Sequence, residues 1–342
     1  MNHGDMTRRD ALVMAGNAAI AVTLPGEARP SPAAKGARPA LTLFSRHLHW
    51  TDIEGAVEVA ASAGYGGISW TVRDGGHIAP RTVARDLPRA VELAHQAGLA
   101  TPLIATSLSD ADSPYAEAII EAASGLGIRA YRALSDHYDL RSGLPAQLDA
   151  LRPRIEGLVR LNERYGATAL FHTHSGDDTV GGAVWDLWLL LRDFDPDRVA
   201  INFDAGHGTM AAGSGWTQAV RFVHGHIRSL SLKDFRWRPQ GEGESRRWVA
   251  EICPAGAGMV NFQDVFGYFR SIGYRGAAEV QFEYPVAVPG RPQPISLMTG
   301  EVGKWKLEMP KADFMALLKR DGDYFAAQLQ KAGLNPAADG SV

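Results

Sequence analysis

From Ala40 onward, short apolar runs alternate with longer stretches in which apolar residues recur every three or four positions. A strand buried on both faces reads as a near-continuous apolar run, and a helix lying on a sheet shows the 3.6-residue period, so the alternation predicts parallel strands joined by crossover helices. Eight strand candidates follow: Leu41 to Phe44, Gly67 to Thr71, Thr101 to Thr106, Ala130 to Leu134, Ala169 to His174, Val199 to Asp204, Ile227 to Lys233 and Ala277 to Glu283. Helices are predicted over Asp52 to Ala63, Arg81 to Ala97, Ser113 to Leu126, Pro145 to Tyr165, Ala183 to Arg192 and Asn261 to Ile272. Several of them run into glycine (Gly64, Gly98, Gly127, Gly166, Gly273), which closes a helix in the left-handed conformation at low cost. Eight strand–helix units predict a closed (β/α)8 TIM barrel. The alternative, a doubly wound open sheet, would place a glycine-rich phosphate loop after the first strand, and Phe44 to Trp50 contains no glycine. Val286 to Lys311, rich in Pro and Gly, reads as a loop on the active-site side, and Lys311 to Ala332 as a closing helix.

A barrel of this kind uses roughly 250 residues as one unit, so the 342-residue chain is read as a single barrel domain over 39–335. Residues 1–38 are set apart: Thr7-Arg8-Arg9-Asp10 precedes a mildly apolar run, Ala11 to Leu24, and then a stretch of small residues and prolines. That order is the order of a twin-arginine-type export signal followed by a disordered linker, and predicts an exported, periplasmic protein. The apolar run is shorter than the ~20 residues that a membrane span needs. A formal net charge of -3 supplies no positive field for nucleic acid or anionic lipid, and points to a small polar partner. Cys253 is the only cysteine, which excludes an internal disulfide and a cysteine zinc cluster. Nothing in the sequence sets the oligomeric state.

Active sites of β/α barrels lie at the C-terminal ends of the strands, and side chains two apart on a strand share a face. In the fifth strand His172 and His174 share a face; in the sixth Asn202 and Asp204 do, with His207 one turn later. Ser229, Ser231 and Lys233 alternate with leucines in the seventh, with Asp234 next, and Glu279, Gln281 and Glu283 alternate with Val280 and Phe282 in the eighth. One such residue is commonly a solvated loop side chain, but polar groups inward from four adjacent strands need partners or a ligand. Arg73 and His77, in the glycine-containing loop after the second strand, suit hydroxyls or a carboxylate. Trp50, Trp70, Trp216, Trp237 and Trp248 fall at or after strand ends, where an aromatic face suits a sugar ring and core packing is the other use.

Four segments carry a resemblance to a known family: Phe171-His172-Thr173-His174-Ser175-Gly176, Asn202-Phe203-Asp204-Ala205-Gly206-His207, Ser231-Leu232-Lys233-Asp234-Phe235, and Pro254 to Phe262 leading to Gly273-Tyr274-Arg275-Gly276. Over residues 40 to 285 the chain resembles the xylose isomerase-like TIM barrels, the group of sugar phosphate isomerases and epimerases. The resemblance implies a divalent metal (Mn, Mg, Co or Zn) held by Glu, Asp, His and Glu from the fifth to eighth strands, with the two Glu exchanging protons with the sugar. Those positions fall on His172, Asp204, Ser231 and Gln281, so only Asp204 is kept. His172, Asp204 and Gln281 remain as metal-ligand candidates, and Ser231 is a poor ligand for a transition metal. The resemblance also implies substrate binding by His207.

Gln281 cannot titrate, so the expected proton-transfer set is His172, His174, Glu283 and a Lys233 whose pKa burial lowers. Arg73, His77, His207 and Asp234 are the expected substrate-binding residues. The function expected is an exported, isomerase- or epimerase-like enzyme that abstracts a proton from a carbohydrate at an altered metal site. The alternatives are a lyase or hydrolase of keto-sugars or keto-glycosides, which needs one base, and a non-catalytic sugar-binding barrel. A DNA-repair endonuclease on the same barrel would want a basic groove, which the composition lacks.

Overall fold

Apolar residues plug the barrel at one end and polar residues fill it at the other, and this gradient places the site. The computed structural model describes residues 40–295, 302–303 and 305–337, which fall in one compact unit, Arg38–Val342. The predicted export signal lies outside the described residues, as does part of the predicted Pro/Gly-rich loop. In chain order the strands and helices are β1 (Thr42–Phe44), α1 (Ile53–Ser62), β2 (Gly67–Val72), α2 (Val83–Gln96), β3 (Leu103–Thr106), α3 (Ala116–Gly125), β4 (Ala130–Arg132), α4 (Leu144–Tyr165), β5 (Thr168–His172) and α5 (Trp185–Leu191). Then come β6 (Val199–Asp204), α6 (Ala205–Ala212), α7 (Trp216–Val223), β7 (Ile227–Leu232), β8 (Asp234–Gln240), β9 (Arg247–Cys253), α8 (Phe262–Ser271), β10 (Ala277–Val280) and α9 (Lys311–Ala332).

All eight predicted strands form, and they close into one parallel barrel in the order β1-β10-β7-β6-β5-β4-β3-β2. The glycines expected at helix ends, Gly64, Gly98, Gly127, Gly166 and Gly273, all take positive φ. Strand alternation then sorts the side chains. Outward residues such as Leu43, Ile68, Ile104, Phe171, Phe203 and Leu230 are buried in one large core beneath the helices. Inward residues Leu103, Leu170, Ala200 and Ala277 form a second, small apolar layer near the strand starts. Two residues further along β5, β6 and β10, His172, Asn202 and Glu279 are buried but polar, and Arg132 joins them from β4.

Several strands end earlier than predicted, leaving His174, Lys233, Gln281 and Glu283 in the segments just beyond. The helices α6 and α7 and the β8–β9 ribbon were not predicted. Asp204 caps a helix, α6, directly after β6, and β8 and β9 form an antiparallel ribbon paired from Asp234↔Cys253 to Gln240↔Arg247. Most of the ribbon is exposed, so no buried apolar run marks it in the sequence. No helix among the described residues is long and apolar enough to cross a membrane.

The predicted closing helix forms as α9. Its Phe314, fully buried, meets Trp50 and Phe282 edge-on at centroid distances of 5.8 and 5.7 Å. Phe314→Ala is expected to cost about 3–5 kcal/mol, the range for emptying a buried aromatic site, read as a lower urea midpoint at unchanged m-value; a loss under 1 kcal/mol would mean that α9 does not brace the barrel.

Candidate active site at the barrel mouth

A cavity of about 250 Å³ opens at the C-terminal ends of the strands. Phe44 and Arg46 after β1, Arg73 after β2, Thr106 on β3 and Arg132 on β4 line one side, and His172, His174, Gln281 and Glu283 line the other. Asp204, Lys233 and His207 stand next to this lining rather than in it: Lys233 Nζ lies 2.6 Å from Glu283 Oε2 and 3.2 Å from Asp204 Oδ2, and the His174 and His207 ring centroids are 5.0 Å apart.

The floor is a continuous polar chain that crosses the barrel. Arg132 Nη1 lies 3.0 Å from Glu279 Oε1, and Gln281 Nε2 donates to the same oxygen. Ser231 donates to Asn202 Oδ1 at 2.9 Å, and His172 Nδ1 meets that oxygen too. A carbonyl oxygen only accepts, so His172 donates from Nδ1, and its Nε2 stands 3.5 Å from Asp204 Oδ2. Local geometry sets the next imidazole. Asp204 is the N-cap of α6 and accepts from the His207 backbone N–H at 2.8 Å, which fixes His207 over the strand end. Ser175 donates to Met210 Sδ and faces His207 Nδ1 at 2.9 Å, so His207 too donates from Nδ1 and leaves Nε2 as an acceptor. Gly206 permits the close approach of α6 to β7, because a Cβ there would lie 2.8 Å from both Lys233 Cγ and its carbonyl oxygen.

Charge settles which groups titrate. Burial alone would lower the Lys233 ammonium, but Asp204 and Glu283 outweigh it and its pKa is raised. Lys233 is therefore a fixed cation, and the expected lysine base is corrected. Burial would raise Glu283, yet Lys233 brings it down to about 2. Asp204 is likewise held well below the usual carboxylate range, with burial opposed by Lys233, His207 and His172. Burial, with the neighbouring His172, His207 and Lys233, pushes His174 down to about 3; burial also pushes His207 to about 4 against the pull of Asp204. Both imidazoles are neutral near pH 7.

Other expected roles are redistributed. Asp234 is no substrate ligand: its buried carboxylate accepts from the backbone N–H groups of Phe235, Gly256, Gly258 and Val260, and a Cβ at Gly258 would lie 2.1 Å from Asp234 Oδ1. It clamps the 256–260 loop. His77 is packed edge-on against His49 and Trp70 and does not line the cavity. None of the five expected tryptophans lines it either: Trp70 and Trp216 are buried, Trp50 meets Phe314 edge-on, and Trp237 and Trp248 stand exposed on the ribbon. Arg46, Thr106 and Arg132 were not foreseen, although the alternation rule applied to β4 would have turned Arg132 inward with Ala130; Glu279 was expected to face inward but was given no role.

Residues 57–297 match the sequence profile of the xylose isomerase-like TIM barrel family. The chain belongs to this family. No curated protein sequence matches it. Solved structures share the family fold at low identity. An L-ribulose 3-epimerase is 14% identical, with a TM-score of 0.59 over 86% of this chain and 96% of its own. A xylose isomerase-like TIM barrel protein from Mycobacterium smegmatis in complex with magnesium is 15% identical, with a TM-score of 0.58 over 87% and 99%. A 3-keto-D-glucoside 4-epimerase from E. coli is 12% identical, with a TM-score of 0.53 over 78% and 92%.

The four-ligand set implied by the resemblance does not fit. Ser231 and Gln281 are hydrogen-bonded into the polar floor, and Gln281 turns its amide to Glu279 rather than toward His172 and Asp204. A different set fits better: the ligand nitrogens of His172, His174 and His207 all lie within 4.8 Å of one another. Beside them Asp204 Oδ2, fully buried, receives no hydrogen bond of good geometry. That oxygen meets Lys233 Nζ at 3.2 Å, and imidazole nitrogens with a carboxylate oxygen are the donors that a divalent transition ion takes.

Lys233→Met leaves Asp204 and Glu283 buried without their cation and is expected to cost about 3–5 kcal/mol in urea unfolding. Lys233→Met/Glu283→Gln should recover part of that loss; a double variant no more stable than the single one would show that the pair is not coupled.

Proposed function

We propose that the chain is a sugar-modifying enzyme that removes a proton from a carbon next to a carbonyl, in an isomerase-type reaction on a monosaccharide or a derivative. The carrying observation is the make-up of the cavity: a monosaccharide-sized space with a single carboxylate among the described residues of its lining, Glu283, held ionised by Lys233, and neutral imidazoles alongside.

Glu283 is the proton acceptor in this reading. At a pKa of about 2 it is a weak base, so the substrate proton must itself be acidified, which favours a keto sugar or the open-chain form of an aldose. A divalent ion bound by His172, His174, His207 and Asp204 would supply Lewis acidity at that carbonyl. Lys233 keeps Glu283 in place and anionic before the transfer, and Arg132 and Gln281 brace the floor through Glu279. The sugar epimerases among the structural neighbours support a carbohydrate substrate.

One base also serves a second reading, elimination or cleavage of a keto-sugar or keto-glycoside. Gln281, which stands where the resemblance implies a second glutamate, favours it over epimerisation, which needs an acid–base group on each face.

The test is proton NMR of aldoses, ketoses and keto-glycosides incubated with the enzyme in D2O. Deuterium should enter one sugar carbon, and Glu283→Gln should slow its entry by about 10²–10⁴-fold. Uptake unchanged in both Glu283→Gln and His174→Ala would remove the assignment. Purified protein should hold one equivalent of a divalent metal by elemental analysis, lost in His207→Ala; metal-free protein that binds sugars without exchange would be a binding barrel.

We also propose export, on the order of charge, apolar run and small residues in 1–38. Full-length protein should reach the periplasm without its leader, and Arg8→Lys/Arg9→Lys should hold it in the cytoplasm; equal export of both would reject a twin-arginine route.

A further inference from the structure

We infer that the substrate carries a carboxylate, and that Arg73, with Arg46 beside it, is its anchor. The inference rests on the sugar-enzyme reading and names the substrate class within it. Three guanidinium groups, Arg46, Arg73 and Arg132, line one small cavity. They are not equivalent. Arg132 is committed to the protein: it pairs with Glu279 at 3.0 Å and lies 4.1 Å over the Phe44 ring. The Arg73 guanidinium, half-buried, has no hydrogen-bond or ion-pair partner among the described residues. Its donors line the cavity uncommitted, and a carboxylate is the group whose two oxygens match the planar fork of a guanidinium.

The charge balance points the same way. Among the described residues, Lys233 is matched by Asp204 and Glu283, and Arg132 by Glu279, whereas Arg73, in the same cavity wall, is paired with no carboxylate. Burial and the neighbouring Arg46 and Arg132 bring Arg73 down to about 10, the response of a cation short of a counter-charge.

Topology supplies the geometry. In the closed order of eight strands, β2 lies four places from β6 in either direction, and β1 four places from β5. Arg73 and Arg46 therefore sit on the wall opposite His172, His174, Asp204 and His207. A molecule bound across the mouth places its anionic end on the arginine wall and its reacting end on the histidine wall. The volume of about 250 Å³ falls below the ~300 Å³ at which drug-sized pockets begin, and suits a single sugar acid.

The experiment is calorimetric titration of the purified full-length protein, in low and high salt, with a hexuronate, the matching neutral hexose and its 6-phosphate. The hexuronate should bind at least ~10-fold more tightly than the hexose, with the advantage shrinking as salt rises. Arg73→Met, which breaks no side-chain pair among the described residues, should abolish the advantage of hexuronate over hexose measured on the same variant, and Arg73→Lys should restore part of it; thermal melts confirm that both variants fold. Equal affinity for hexuronate and hexose, a preference that survives Arg73→Met, or tighter binding of the 6-phosphate would each overturn the carboxylate assignment. A hexose that binds and exchanges deuterium without any hexuronate advantage sinks this inference alone, whereas a protein that binds none of the three sugars and exchanges nothing fails the broader reading.

Discussion

Charge placed inside a barrel must be paired there, and that constraint organises the upper half of this molecule. The interior is closed to water at its lower end by Leu103, Leu170, Ala200 and Ala277, so the ionised side chains two residues higher cannot be solvated from below. They are solvated by one another. Lys233 serves both Asp204 and Glu283, Arg132 serves Glu279, and neutral hydrogen bonds through Gln281, Ser231, Asn202 and His172 join the two ionic groups into one floor. Each bond fixes a rotamer that would otherwise be free, and the site acquires its geometry from the same contacts that make its burial tolerable.

The fold was legible because it rests on local pattern. Eight apolar runs, helical periods between them and glycines after the helices each report on a few consecutive residues, and all agree on one architecture. The inward direction of His172, Asn202, Asp204, Ser231 and Glu279 was legible for the same reason, since alternation along a strand is local too. What failed was whatever depends on the partner from another strand. Lys233 was expected to lose its charge on burial, a sound expectation for a lone lysine, but Asp204 from β6 and Glu283 beyond β10 reverse the sign. Asp234 has the composition of a binding residue and the position of one; only the backbone amides of Phe235 and of the 256–260 loop reveal it as a clamp. The β8–β9 ribbon escaped because its residues are mostly exposed, and so carry no burial pattern to detect.

Within the family, the exchange of ligands for neutral hydrogen-bonding groups is not a loss in isolation. Where the resemblance implies a glutamate, a histidine and a second glutamate, the chain has His172, Ser231 and Gln281, and each substitute is built into the floor with a defined partner. The imidazoles of His174 and His207 gather above that floor instead, next to the one acidic position retained. Such a shift keeps the barrel's end, its polar layer and its sugar-sized space, and alters which atoms face the substrate.

The arginine wall fits the same logic. Among the described residues the lining holds one carboxylate, Glu283, with neutral imidazoles beside it, and Lys233 already absorbs what Glu283 and Asp204 provide. On the facing wall, burial and then the neighbouring Arg46 and Arg132 all act against the Arg73 cation in the free protein. Such repulsion persists in a fold only where something offsets it, and an anion that arrives with the substrate would relieve it at the moment of binding. Substrate binding would then discharge an electrostatic cost already present in the free protein, which ties recognition on the β1–β2 wall to the chemistry on the β5–β6 wall without any movement of the barrel between them.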